Sequence, residues 1–139
     1  VMWVFVYGTL RSGESNHHVI QEDIVELEPG KVAGVLHDAG HFPYLVTSDS
    51  GCGYVTGDWV RIENDTALVK LDSLEGFKEA GYEFNHYDRV VLKDVESGRT
   101  GWGYIAGPRI RTAIYPAISS GDWKLLARKF ENMNQICWR

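Results

Sequence analysis

Trp3-Val4-Phe5-Val6-Tyr7 is an unbroken run of β-branched and aromatic residues. Such a run predicts a strand buried on both faces. It stops at Gly8-Thr9-Leu10-Arg11-Ser12-Gly13, a stretch of turn formers. Residues 16–20 then predict a short helix, with Ser15 or Asn16 as its cap. Two extended segments, residues 24–27 and 32–36, flank Glu28-Pro29-Gly30-Lys31, which has the composition of a turn. Residues 44–46 predict a short strand and residues 54–62 a longer one. Gly57 interrupts the latter, and a glycine inside a strand marks a bulge or a close backbone approach. Ala67, Leu68, Leu71 and Leu74 form an apolar stripe at helical spacing. That helix runs from a cap at Asn64 or Asp65 to Glu75, with Gly76 as the residue that ends it. Strands follow over residues 87–95 and 101–106, with a hairpin turn at residues 96–99. Asp122 is positioned to cap a last helix.

About six strands and two or three helices without regular alternation predict an α+β class. The expected architecture is a small mixed β-barrel or strongly curled sheet with two or three flanking helices, one domain over residues 1–139. The 15 glycines among 139 residues fit strands bent tightly and joined by short turns. No GxGxxG follows the first strand, which argues against a dinucleotide-binding fold. With 44% apolar residues the chain can bury a core, and disorder is excluded as its main state. The net charge of −5, without a Lys/Arg cluster, argues against nucleic acid or an anionic membrane as partner. No apolar run approaches the ~18 residues of a membrane helix. Cys52 and Cys137 stand in no metal or redox spacing, and the first residues do not read as a secretory signal. A reduced, cytoplasmic protein is the expectation.

The commoner catalytic signatures are absent: no GxSxG, GxxxxGK[ST], HExxH or CxxC. His17-His18, His37 and His41 match no metal frame, and solvated or hydrogen-bonded imidazoles are the simpler reading. Cys52, between two glycines, lacks any neighbour in sequence that would activate it. Two places carry more information. Tyr7-Gly8-Thr9-Leu10 leaves a buried strand with backbone N–H groups and a Thr hydroxyl unpartnered. It is either a plain strand-ending turn or a nest for a carboxylate or oxyanion. Glu75 stands at a helix C-terminus, beside Leu74 and Phe77. The terminal carbonyls and burial would both raise its pKa, unless it is simply an exposed glutamate on a frayed end. Phe42-Pro43-Tyr44 forms a rigid aromatic corner where a cis peptide is conceivable. Arg89 reads as the partner of a structural acid. Phe42, Pro43, Phe77 and Tyr82 are candidates for a pocket wall.

Taken in order, the segments 4–11, 15–17, 40–43 and 71–76 (Leu-Asp-Ser-Leu-Glu-Gly), then Tyr87-Asp88-Arg89 and Ser120-Gly121-Asp122-Trp123, form a set. That set resembles the gamma-glutamylcyclotransferase-like family over residues 3 to about 123. The resemblance implies a compact α+β domain around a small mixed barrel. It also implies cyclisation of a gamma-glutamyl compound to 5-oxoproline with release of an amine or amino acid, without a metal or cofactor. By the same resemblance Tyr7, Gly8, Thr9 and Leu10 form the substrate-binding loop, Glu75 is the catalytic acid/base, and Tyr115 contacts substrate. Phe77 departs from the family's frequent Tyr at that place. Two rivals stand beside this reading. One is a non-catalytic module that binds a small carboxylate on the same fold; the other is an amide hydrolase that uses Cys52. The leaving amine and the oligomeric state are not encoded in any segment that can be read.

Overall fold

The computed structural model describes residues 2–48 and 53–126. Its strands are β1 (Met2–Val6), β2 (Ile24–Asp38), β3 (Pro43–Thr47), β4 (Tyr54–Ile62), β5 (Tyr87–Lys93) and β6 (Thr100–Ala106). Helix α1 spans Asp65–Glu75 between β4 and β5. Single 3-10 turns cover His17–Val19, Gln21–Asp23 and Thr112–Ile114. One sheet joins the strands in the order β3-β2-β4-β1-β6-β5. Among the described residues only the β1–β6 pairing is parallel; the others are antiparallel. The sheet curls into a half-barrel, so its two outermost strands meet. The Tyr87 hydroxyl at the start of β5 donates to the Pro43 carbonyl on β3 at 2.7 Å, and the Tyr44 and Tyr87 rings lie 5.1 Å apart.

Strand β1 runs through the middle and is buried on both faces, as its unbroken apolar run predicts. Val4 and Val6 join Val60, Ile62, Ala67, Leu71, Tyr87 and Tyr104 on one side. Phe5 and Tyr7 pack with Val32, Leu36, Leu45, Val55 and Trp59 on the other. Gly57 lies opposite this strand because nothing larger fits. A Cβ there would stand 2.4 Å from the Val6 carbonyl oxygen.

The turn expected at residues 28–31 does not exist. Those residues lie inside β2, a single strand of 15 residues, and pair in register with β4 from Glu28↔Trp59 to Lys31↔Thr56. Gly30 is there for a contact rather than a bend, since a Cβ would meet the Trp59 ring at 2.4 Å. Pro29 is tolerated because β4 is the only strand paired with β2 in that stretch, an edge position. The short helix expected at residues 16–20 is one 3-10 turn, and Asn16 makes no side-chain cap; its Nδ2 donates to Thr9 instead. No cis peptide occurs among the described residues, so Phe42-Pro43 is trans.

Helix α1 matches its predicted limits. Asn64 Oδ1 accepts the Ala67 N–H at 2.9 Å, and the buried stripe is Ala67 and Leu71. Gly76 ends the helix in the left-handed region (φ 67°, ψ 34°). Its N–H bonds to the Ser73 carbonyl, while the Phe77 N–H bonds to that of Asp72. This paired closure fixes where the last helical residue, Glu75, points. After β6, residues 116–118 return along β2, with Ile118 N–H on the Leu36 carbonyl at 2.7 Å. Arg11, buried, grips Asp58 of β4 and Asp122 at 3.3 and 3.0 Å. A helix begins at residue 123, where Asp122 Oδ1 accepts the Lys124 N–H at 2.9 Å. Among the described residues no helix is long and apolar enough to cross a membrane.

Candidate active site

A cavity of about 170 Å³ opens where β1 ends, between the loop that follows it and the end of α1. Tyr7, Gly8, Thr9 and Leu10 line one side, with Asn16 behind them. Leu74 and Glu75 line the opposite side, and Phe42, Pro43, His86, Tyr87 and Tyr104 complete it. Glu75 and the 7–10 loop, 65 or more positions apart in sequence, therefore face one space.

Burial pushes the Glu75 carboxyl up to about 7. Desolvation is the cause of that shift. No donor bonds the Glu75 carboxylate among the described residues. Around it stand three phenols, those of Tyr7, Tyr87 and Tyr104. Burial first, and the nearby Glu75 among lesser causes, raises each well above its ordinary range. All three remain protonated at physiological pH, and all three hydroxyls are spent on the protein. Tyr7 donates to the Tyr104 carbonyl and accepts the Leu45 N–H, Tyr87 donates to Pro43, and Tyr104 donates to Asp72 at 2.7 Å. The acid group thus faces phenols whose hydroxyls are all engaged elsewhere.

The same Asp72 takes Arg89 on its other oxygen at 2.8 Å, while the guanidinium lies over the rings of Phe77 and Trp102. Arg89 pairs with a structural acid, as expected. It ties the end of α1 to β5 and β6 and so sets the depth at which Glu75 enters the cavity.

The loop is held as firmly. Gly8 touches Pro43 so closely that a Cβ would stand 2.7 Å from the Pro43 ring. The Asn16 N–H bonds to the Thr9 carbonyl at 2.7 Å, and Asn16 Nδ2 donates to Thr9 Oγ1 at 2.9 Å. Among the described residues the N–H groups of Gly8, Thr9 and Leu10 make no backbone hydrogen bond. Turn carbonyls are absorbed, turn amides are left over, and the result is a set of donors along the cavity.

A model of the gamma-glutamyl cyclotransferase, AIG2-like family matches residues 4–125. The chain belongs to that family. It is 36% identical over 124 residues to a gamma-L-glutamyl-butirosin B gamma-glutamyl cyclotransferase of Niallia circulans, covering 87% of this chain and 74% of the relative. The crystal structure of YkqA from Bacillus subtilis superposes with a TM-score of 0.72 at 27% identity, over 94% of this chain but only 42% of that one. An AIG2-like protein of mouse shares the fold, with a TM-score of 0.65 at 23% identity over 87% of this chain and 88% of the other. Gamma-glutamyl cyclotransfer is the general activity that this membership supports.

In this cyclotransferase fold the two segments singled out from sequence, residues 7–10 and Glu75, come together. Phe42 and Pro43 also line the cavity, whereas Phe77 and Tyr82 do not: Phe77 underlies Arg89, and Tyr82 packs on Phe84. Tyr115 is not among the lining residues. Its ring packs 5.7 Å from that of Tyr44, and its carbonyl accepts His37 Nδ1 at 3.0 Å. Cys52 and Cys137 lie outside the described residues. His86 was not anticipated. It lines the cavity and pairs its Nε2 with the Tyr44 hydroxyl, and burial lowers its pKa. Its place depends on the bond from its N–H to the Gly76 carbonyl at 3.1 Å, which joins the two chain segments. No local pattern signals that. Nor did the pattern show Asn16 as anything more than a cap.

Proposed function

We propose that this chain converts a gamma-glutamyl amine or amino acid into 5-oxoproline and the free amine, with Glu75 as the single acid/base. The observation that carries the reading is the placement of an undonated, half-buried carboxyl, with a pKa of about 7, across a small cavity from the unpaired N–H groups of residues 8–10. The substrate's α-amine attacks its own γ-carbonyl. That amine is mostly protonated near neutral pH, so a base must first take a proton from it. The ionised Glu75 does so. A carboxyl with a pKa near the working pH is equally able to return the proton. The new bond joins the α-nitrogen to the γ-carbon; the bond that breaks joins the γ-carbon to the leaving nitrogen. The attacking nitrogen sheds two protons on its way from ammonium to lactam N–H, one before attack and one after; Glu75 passes them in turn to the leaving nitrogen, which departs as an ammonium, so the carboxylate is regenerated and nothing else is consumed.

Ring closure is intramolecular, so the main entropic task is to hold the glutamyl chain folded. Tyr7, Gly8, Thr9 and Leu10 perform it. Their amides receive the α-carboxylate or the tetrahedral oxyanion, and charge developing next to fixed donors in a poorly hydrated cavity is stabilised strongly. The substrate is a small molecule of the gamma-glutamyl class, and no cofactor enters the proton account. Tyr115, by its place beside Tyr44, would act from outside the cavity rim.

The test is incubation of the chain with a panel of gamma-glutamyl compounds, with 5-oxoproline as readout, for the wild type and Glu75→Gln. The expected loss on substitution is at least ~10²-fold in turnover. Wild-type turnover by the Gln variant contradicts the assignment. Binding of the panel without turnover by the wild type favours the non-catalytic carboxylate-binding module instead.

A further inference from the structure

Thr9 and Asn16 are both on the cavity wall, and their side chains are bonded to each other. The direction of that bond matters. Asn16 Nδ2 is the donor and Thr9 Oγ1 the acceptor, at 2.9 Å. A hydroxyl carries one proton and two lone pairs. With a lone pair taken by the amide, the proton of Thr9 has no acceptor among the described residues and has the cavity to point into. The backbone bond from the Asn16 N–H to the Thr9 carbonyl, at 2.7 Å, holds the two residues in this register. Among the described residues no Lys or Arg lines the cavity. An anionic group on the substrate therefore depends on neutral donors alone, and one correctly directed hydroxyl is a substantial part of what is available.

We propose that Asn16 is a positioning residue that polarises the Thr9 hydroxyl, making it a dedicated donor to the glutamyl group, alongside the loop amides. The proposal rests on the reading of the cavity as a gamma-glutamyl site. It separates direction from mere bracing. Asn16→Asp keeps a hydrogen bond to Thr9, but a carboxylate can only accept, so the hydroxyl must turn and spend its proton on residue 16. A brace would survive that change; a donor would not.

The experiment uses the full chain with four variants: Thr9→Val, Thr9→Ser, Asn16→Asp, and the double variant with Thr9→Val and Asn16→Asp. Two readouts are taken at the alkaline plateau of the pH profile, where any shift in Glu75 has no influence. One is kcat/KM on a gamma-glutamyl compound; the other is the Kd of 5-oxoproline by calorimetry. Thr9→Val and Asn16→Asp are each expected to lose about 10-fold or more in both, the loss of a hydrogen bond to a charged group. Thr9→Ser is expected to stay near wild type. The double variant is expected to be no worse than Thr9→Val, since residue 16 acts only through the hydroxyl. Melting temperatures should agree throughout.

Wild-type behaviour of Asn16→Asp overturns the proposal in favour of bracing. Losses that multiply in the double variant overturn it too, because they assign the effect to the charge at residue 16. A wild type that binds 5-oxoproline through this pair but turns over no gamma-glutamyl compound keeps the proposal and rejects the reaction. A wild type that does neither rejects both.

Discussion

Glu75 and Asp94 are two carboxylates in one small domain, each beside a cavity, and they are treated in opposite ways. Burial pushes both upward in pKa. For Asp94 that push is more than offset. Its oxygens accept the N–H groups of Ser97, Lys31 and Glu96 and the indole N–H of Trp59, at 2.8 to 2.9 Å, and its pKa ends well below the usual carboxylate range. Asp94 stitches the β5–β6 hairpin to β2 and holds the ring against which Gly30 packs. Glu75 receives no donor among the described residues, and its pKa stays near 7. A buried carboxylate that is satisfied is a rivet; one left unsatisfied is available for chemistry. The second is held in place by its neighbours rather than by its own bonds: Asp72, Arg89 and the Gly76 closure position the helix end.

The sharpest way to break this contrast is to remove each group in turn. Asp94→Ala strands four buried or half-buried donors, and the expected cost is about 3 kcal/mol or more, read by denaturant unfolding. Activity per folded molecule should remain close to wild type, since Asp94 is not among the cavity-lining residues around Glu75. Glu75→Gln should do the reverse and stabilise. The unfolded carboxyl titrates near 4.5 and the folded one near 7. Across that window the native state binds more protons than the unfolded state, so wild-type stability falls as pH rises from about 4.5 to 7. The Gln variant lacks that slope. Above pH 8 it should exceed the wild type by roughly 2–3 kcal/mol, measured as unfolding free energy against pH. For Asp94 the sign is opposite, and its contribution is present at neutral pH and lost on acidification through and below the carboxylate range.

The contrast was partly legible in sequence. The Leu68–Leu71–Leu74 spacing, an Asn cap and a terminal Gly delimit α1, and these local rules place Glu75 at its end. The strand run before Gly8 was equally plain, because β1 is buried on both faces and needs no partner to be recognised. What the chain does not show locally is pairing at a distance. Pro29-Gly30 has turn composition, yet Gly30 answers to Trp59, 29 positions away. Asp94 looks like any polar residue before a hairpin until its four donors are assembled. His86 enters the cavity through a backbone bond to Gly76 and a side-chain pair with Tyr44. Burial, one of the two causes expected for a raised Glu75 pKa, is the one the structure supplies.

Two smaller effects sharpen the account. Gly8→Ala pushes a Cβ to within 2.7 Å of the Pro43 ring, so loop and aromatic corner must separate. The expected result is about a 10-fold fall in kcat/KM, with a destabilisation of about 1–3 kcal/mol from overpacking. Arg89→Lys keeps the charge beside Asp72 but loses the planar stack on Phe77 and Trp102. A fall of only a few-fold in kcat is expected, with KM little changed, because the end of α1 loosens without the loop being touched.

The most direct measurement is the titration of Glu75 itself, by carboxyl-resolved NMR on side-chain-labelled protein, with Glu75→Gln to assign the resonance. A midpoint near 7 is expected, matched by an acidic limb of kcat/KM at the same pH. A midpoint near 4.5, the ordinary glutamate value, would contradict the account: the carboxyl would then be solvated, and the cavity would hold no poised acid/base.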